Sequence, residues 1–305
     1  MRDDSAGRSH CQGRGRAGFA AVRVHKRGDL PMLIEIAKAV LFGIVQGITE
    51  WLPISSTGHM ILLNEFVTMN MSEKFMEMFF VVVQLGAILA VLVLFGDKLL
   101  PFSLRGGFRL KAEALALWPK IVAASIPAGV VGLLWGNELN SLFFTYPVVI
   151  VMLALFGVLF IVVENRNKGK APVVETTADL TYKAALWIGC FQLIAAVFPG
   201  TSRSGSTIIG ALMIGVSRVA AAEFTFLLAV PIMIGASAVK LLDFGLHFTA
   251  TEGAVLLTGM VVAFVVSVLA IRFLMSFIKT NDFKVFGWYR IILAAVASLY
   301  FFIFQ

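Results

Sequence analysis

Apolar residues occupy this chain in continuous blocks about as long as a bilayer is thick, and two further blocks are broken by proline. The unbroken blocks fall at 75–95, 119–136, 146–164, 223–242, 254–278 and 287–304. About 20 apolar residues in helical form cross the hydrocarbon core. The blocks are continuous rather than alternating, which argues against a β-barrel. The broken blocks are different. One runs over 34–52, halts at Pro53 and restarts over 55–67; the other runs over 184–198, halts at Pro199-Gly200 and restarts over 204–214. No fragment comfortably spans about 30 Å alone. Each pair therefore reads as a re-entrant element that dips in and returns to the same side. The predicted fold is all-α: a polytopic membrane protein of about six transmembrane helices plus two re-entrant helix pairs.

The two broken elements mark an internal repeat. Gly43, Gln46, Pro53, Ser56 and Glu77 recur as Gly189, Gln192, Pro199, Ser202 and Glu223, at a constant offset of 146 without a gap. We read one membrane domain over 32–305, with repeat one about 32–164 and repeat two about 184–305, divided by the polar stretch 165–183. Three spans separate the broken elements, and an odd number inverts the second copy. Loop charges agree. Basic residues crowd 97–120, 165–183 and the edges of 279–286, while 137–145 has no Lys or Arg. The positive-inside rule places the three basic loops in the cytoplasm, and Met32 and Gln305 outside.

Composition supports the membrane reading: 59% of the 305 residues are hydrophobic and 14% charged, against about a quarter charged in soluble domains. The formal net charge is +7, but residues 1–31 hold seven Lys/Arg and three Asp, leaving 18 basic and 15 acidic residues beyond them. That segment is Gly- and Arg-rich, lacks the apolar core of a secretory signal, and reads as a disordered basic extension. A basic tail belongs inside, which conflicts with an external Met32; either an upstream start precedes a natural Met32, the preferred reading, or the first broken element spans after all. Nucleic acid is a poor partner for it. Two cysteines, Cys11 and Cys190, make no disulfide framework; Cys190 reads as a small membrane-core residue.

The polar residues gather at the breaks. Gln46 and Glu50 are spaced i, i+4 and share a helix face. Ser55, Ser56 and Thr57 follow Pro53, where a new helix begins; Thr201, Ser202, Arg203 and Ser204 follow Pro199-Gly200 in the same way. Such residues cap helix N-termini, and an N-terminus favours an anion through its unpaired N–H groups and dipole. Arg203 adds bidentate reach for phosphate oxygens. Inversion points both N-termini at mid-membrane, an arrangement suited to phosphate or diphosphate. Glu50, His59 and Arg203 are ionisable groups in apolar elements, which rarely serve packing alone. Ser206 reads equally as a helix–helix hydrogen bond, and Glu77 and Glu223 as interfacial residues.

These residues carry a resemblance. Gln46-x-x-x-Glu50, Pro53-Ile-Ser-Ser-Thr-Gly-His59 and Pro199-Gly-Thr-Ser-Arg-Ser-Gly-Ser-Thr207 resemble the bacterial undecaprenyl-diphosphatase family of the bacitracin-resistance type, over 32–305. The family pattern takes Glu or Gln at the first acidic position; Gln46 stands here, so a two-carboxylate metal site is in doubt. The resemblance implies hydrolysis of undecaprenyl diphosphate to the monophosphate and phosphate. That reaction recycles the lipid carrier for peptidoglycan synthesis and confers bacitracin resistance. The implied site lies in the bacterial cytoplasmic (inner) membrane and opens to the outer face. A divalent cation, Mg²⁺ or Ca²⁺, is implied, held by Glu50 and Gln46. Beside that, the residue reading supplies roles. Glu50, Ser56, His59 and Arg203 form the catalytic set, with Ser56 as nucleophile and His59, three residues on along one helix face, as base or acid. A metal-activated water in place of Ser56 stays open. Gln46, Ser55, Thr57, Thr201, Ser202, Ser204 and Thr207 line the substrate. The partners are a polyprenyl diphosphate lipid and membrane lipid, and a homodimer is left open. The competing class is a transporter or flippase of polyprenyl phosphate, since inverted broken helices are a transporter architecture; a carrier needs no nucleophile–base pair.

Overall fold

The computed structural model describes residues 32–103 and 109–304. The basic extension at 1–31 lies outside the described residues. Among the described residues ten helices run in order: α1 (Met32–Thr49), α2 (Ser56–Phe66), α3 (Glu73–Leu99), α4 (Ala112–Phe143), α5 (Tyr146–Asn167), α6 (Tyr182–Val197), α7 (Arg203–Met213), α8 (Arg218–Phe244), α9 (Ala250–Phe277) and α10 (Lys284–Phe304). A two-residue hairpin, β1 (Phe102–Ser103) with β2 (Arg109–Leu110), joins α3 to α4. Six helices (α3, α4, α5, α8, α9, α10) are the expected spans, and α1/α2 and α6/α7 are the broken pairs. At 18 residues α1 is itself long and apolar enough to cross a membrane, whereas α6 at 16 is not. Helix α4 is longer than its apolar block because Pro119 and Pro127 sit inside it without ending it.

The packing carries the repeat. Helix α1 packs on α9 while α6 packs on α4, so each broken helix lies against the fourth helix of the other half. Helices α3 and α8 pack together, as do α5 and α10. The paired glycines explain the crossings. A Cβ on Gly43 would lie 2.7 Å from the Gly259 carbonyl oxygen of α9, and one on Gly189 would lie 2.4 Å from that of Ala124 on α4. Close backbone approach through small residues drives helix association in lipid. Glu77 and Glu223 are tied reciprocally across α3 and α8: Lys240 Nζ reaches Glu77 at 3.4 Å and Lys98 Nζ reaches Glu223 at 2.6 Å.

One sequence expectation shifts. Equivalent caps are not 146 apart throughout. Ser55 and Ser202, the N-caps of α2 and α7, are 147 apart, and Ser72 and Ser217, the caps of α3 and α8, are 145 apart. Helix α6 continues two residues further past Gln192 than α1 does past Gln46, and the link after it is one residue shorter. Ser56 therefore corresponds to Arg203, not to Ser202. Cys190 is exposed rather than in the core. Large apolar side chains such as Leu133, Leu257, Leu269 and Phe302 are exposed along the spans, as a lipid-facing surface requires.

Candidate active site

The site is built where the two links meet. Proline stops each first helix by removing a donor and clashing with the preceding turn. In both links the next helix starts at a serine with positive φ: Ser55 at 75° and Ser202 at 70°. Each serine oxygen accepts from the backbone N–H three residues on, Gly58 at 3.3 Å and Gly205 at 3.1 Å. A non-glycine residue in this region is strained by roughly 1–3 kcal/mol, and such strain collects at functional sites. Gly200, φ 87°, allows the second link to lie against Val149, whose carbonyl oxygen a Cβ would meet at 2.5 Å. Helices α2 and α7 thus open at positions fixed by two strained caps.

Glu50 is the hub. Its side chain is 6% exposed. Oε1 accepts from Arg203 Nη2 at 2.7 Å; Oε2 accepts from Gln46 Nε2 at 2.8 Å and from Ser56 Oγ at 2.7 Å. The Ser204 hydroxyl donates to the Glu50 carbonyl oxygen at 3.1 Å and lies 3.1 Å from Ser202 Oγ. Charge-assisted bonds of this length are the strong class. Four expected residues from two repeats, Gln46, Glu50, Ser56 and Arg203, are thus brought together. Thr57 lies half-buried in the first turn of α2.

Two donors at the mouth of α7 are buried without a protein partner among the described residues: Arg203 Nη1 and Thr201 Oγ1. Buried polar groups are paired in the great majority of cases, and exceptions need an explanation. An anion at the helix N-terminus supplies one. Thr207 turns away, donating to the Arg203 carbonyl at 2.9 Å and meeting Thr225 Oγ1 at 2.9 Å. Ser206 donates to the Phe191 carbonyl, the helix–helix bond that was its alternative reading.

His59 does not reach Ser56. Nδ1 faces the Ser55 carbonyl at 2.8 Å, and Nε2 faces the Tyr289 hydroxyl at 2.7 Å, with the two rings stacked 5.6 Å apart. The partner of the Ser56 hydroxyl is Glu50. A residue the sequence reading passed over is Arg290 of α10, fully buried. It donates to the carbonyls of Thr201 at 2.8 Å, Gly200 at 2.9 Å, and Pro53, Met152 and Leu153 each at 3.3 Å. One guanidinium therefore ties both links to α5. The signal that finds it is the same one that finds Arg203: a cation inside an apolar block.

A hard cation takes oxygen ligands, and Mg²⁺ is held by one or two carboxylates together with substrate phosphates. Glu50 supplies one carboxylate, with the Gln46 amide and Ser56 hydroxyl beside it. That donor set fits a cation shared with a phosphorylated ligand. It does not fit an all-protein cage; no cluster of three His, Cys, Asp or Glu is present among the described residues.

Comparisons with known proteins place the chain in a family. The profile of the family described as Bacitracin resistance protein BacA matches residues 39–296. The undecaprenyl-diphosphatase of Desulfitobacterium hafniense is 63% identical over 269 residues, 88% of this chain and 97% of that protein. Undecaprenyl-diphosphatase 1 of Clostridium acetobutylicum is 58% identical over 270 residues, 88% and 98% of the two chains. The undecaprenyl-diphosphatase of Enterococcus faecalis is 58% identical over 268 residues, 87% and 97%. By the extent of these matches and the site they enclose, this chain belongs to the BacA family of bacitracin resistance proteins.

Proposed function

We propose that the chain hydrolyses undecaprenyl diphosphate to undecaprenyl phosphate and inorganic phosphate in the bacterial cytoplasmic membrane. It would thereby return the lipid carrier to peptidoglycan synthesis and limit the target of bacitracin. The observation that carries the reading is the Ser56–Glu50–Arg203 constellation, with Arg203 Nη1 still unpaired beside it. A nucleophilic hydroxyl, a carboxylate to take its proton and a guanidinium for phosphate oxygens meet at two helix N-termini.

In this reading Arg203, Thr201 and the open N–H groups of α7 hold the terminal phosphoryl group, and Ser202 and Ser204 fix the link that presents them. The Ser56 oxygen attacks the terminal phosphorus and its proton passes to Glu50 Oε2. The bond to the bridging oxygen breaks and undecaprenyl phosphate leaves with that oxygen. Water then attacks the phosphoserine with Glu50 returning the proton to Ser56 Oγ as phosphate departs. Little covalent work is asked of the protein, and positioning with charge stabilisation supplies most of the acceleration. His59, oriented by the Ser55 carbonyl and the Tyr289 hydroxyl, is placed to exchange protons between the site and its surroundings. Glu50 and Gln46 would hold a divalent cation, Mg²⁺ or Ca²⁺, which neutralises diphosphate charge when bound. We place the opening of the site on the outer face, because the basic loops cluster at the other end of the bundle.

The test is phosphate release from the purified full chain in detergent with undecaprenyl diphosphate, for the parent and Arg203→Ala. The parent turns over; the alanine variant, folded by its melting profile, loses about 100-fold or more, and Arg203→Lys restores little because a point charge cannot replace the fork. Near-normal turnover in Arg203→Ala would end this account of the site.

A further inference from the structure

Helix α7 has a second end. Its eleven residues carry the chain about 16 Å from the Ser202 cap to Ile214. There, between the ends of α5, α7 and α9 and the starts of α8 and α10, lies an open cavity of about 710 Å³. Six basic side chains line it: Arg166, Lys168, Lys170, Arg218, Lys279 and Lys284. Two acids share the lining, and both are engaged. Glu164 takes a two-pronged bond from Arg218, at 2.9 and 2.6 Å, and a third from the Phe283 N–H at 3.0 Å. Asp282 pairs with Lys284 at 3.0 Å. Arg166, Lys168, Lys170 and Lys279 form no ion pair among the described residues.

The wall that carries these charges is fixed. The Val173 and Val174 N–H groups donate to the Gly215 carbonyl at 2.7 and 3.2 Å, and Ser217 N–H donates to the Val174 carbonyl at 2.8 Å. The segment bearing Lys168 and Lys170 is therefore bonded across the cavity rather than hanging from it. Apart from Asn167 and Ser217, the rest of the lining is apolar or backbone: Val173 is 81% and Met213 38% exposed, and Val219 and Ile278 line the same cavity. This is also the end of the bundle where the basic segments collect, since Lys120 Nζ bonds the Ala178 carbonyl and Lys284 Nζ bonds Asn165 Oδ1.

We propose that this cavity is a second anion site, which binds the phosphate head group of an anionic phospholipid from the cytoplasmic leaflet. Unneutralised cations beside exposed apolar side chains match an amphiphile: the phosphate meets the four cations and the glycerol and first acyl carbons meet Val173 and Met213. Basic pockets between transmembrane helices on the cytoplasmic side recognise anionic head groups in this way. A free phosphate ion would use the cations and leave the apolar wall without a role. The site stands apart from the hydrolytic one and does not depend on it.

The experiment uses the full chain in nanodiscs of mixed phosphatidylglycerol and phosphatidylcholine, with lipids retained after partial delipidation measured by native mass spectrometry. The parent should retain phosphatidylglycerol in preference to phosphatidylcholine. Each cation contributes roughly fivefold, so Lys168→Gln/Lys170→Gln/Lys279→Gln should lose on the order of 100-fold of that preference. The single Lys168→Gln change, on an exposed segment that cannot unfold the bundle, should show the fivefold step. Lys120→Gln, at the same end but outside the cavity, should change nothing. Phosphate release in neutral detergent should be unaltered in all of them. Equal retention of both lipids by the parent, an unchanged preference in the triple variant, or an equal loss in Lys120→Gln would overturn the proposal. Displacement of phosphatidylglycerol by millimolar inorganic phosphate would overturn it in favour of a free-ion site.

Discussion

Replacing Arg290 by methionine tests whether the two links are held by one side chain. Arg290 is fully buried and donates to five carbonyls, two of them at 2.8 and 2.9 Å. Hydrogen bonds from a charged donor contribute about 1.5–3 kcal/mol each, so the two short ones alone account for roughly 3–6 kcal/mol. Methionine fills the space of the aliphatic stem, ends short of the guanidinium and has no donor, so those carbonyls lose their partners. Against this, methionine removes the cost of burying a guanidinium that forms no ion pair among the described residues, itself several kcal/mol. The two terms nearly offset, and we expect folding stability to change by less than about 3 kcal/mol. Activity has no such offset. Arg290 bonds Pro53 in one link, three residues before Ser56, and Gly200 and Thr201 in the other, three and two residues before Arg203. A displacement of about 1 Å at reacting groups costs on the order of 100-fold. The assay pairs phosphate release with thermal unfolding in the same detergent. Arg290→Met should melt near the parent and turn over about 100-fold more slowly, and Arg290→Lys should be nearly as slow, because three donors on one nitrogen cannot span five carbonyls. A methionine variant within about threefold of the parent in kcat/KM would refute the reasoning.

Three further outcomes follow from the same contacts. Glu50→Gln leaves Arg203 buried without its counter-charge, a loss of about 3–5 kcal/mol of local stability, and should weaken activity and shift the Mg²⁺ midpoint together. Gln46→Glu should keep activity or tighten the metal, and a metal titration that finds the Glu50→Gln midpoint unmoved takes Glu50 out of the cation site. Gly86→Ala would set a Cβ 2.1 Å from the Met260 carbonyl oxygen; α3 and α9 must part, and melting should report about 1–3 kcal/mol of destabilisation. His59→Ala should lose about 100-fold or more as a proton-transfer group, while Tyr289→Phe keeps the stack and removes only the 2.7 Å bond to Nε2. A pH–rate profile separates them, and equal losses in both would make the hydroxyl, rather than the imidazole, the group that matters.

Much of this site was legible because local chemistry wrote it. Pro53 and Pro199 break helices through their own backbones, the serines after them cap because short hydroxyls reach the next turn, and Gln46 meets Glu50 because residues four apart share a face. Long-range partners were not legible in that way. Glu50 and Arg203 are 153 residues apart, and only the docking of the two repeats joins them. Ser56 and His59 are close in sequence and invited pairing, but their side chains find Glu50 and Tyr289 instead. The constant offset of 146 misaligned Ser56 with Ser202, because a repeat keeps its geometry while its links change length. Arg290 sits at the start of an apolar block, where an arginine also reads as an interfacial anchor; only the packing of α10 on α5 shows it pointing inward.

The same contacts bear on the choice between hydrolase and carrier. Alternating access moves one repeat against the other around a fixed site. Here the site is pinned across that seam. Arg203 of the second link is bonded to Glu50 of the first, Ser204 to the Glu50 carbonyl, and Arg290 to Pro53, Met152 and Leu153 of the first repeat as well as to Gly200 and Thr201 of the second. Rocking would break several charge-assisted bonds in a low-dielectric interior. A hydrolase gains from that rigidity, since its reacting groups must stay in register while the phosphoryl group moves between them. The repeat not only builds two facing helix N-termini but also divides the chemistry between them. On the proposed mechanism the first link, with the first residue of α2, supplies the carboxylate and the nucleophile. The second, where Gln192 has no acid four residues on, supplies the guanidinium. An inverted pair that had kept both copies alike would place like charges at the centre. The asymmetry of Glu50 and Arg203 is what turns the symmetric cradle into a site that can take a proton and hold a phosphate at once.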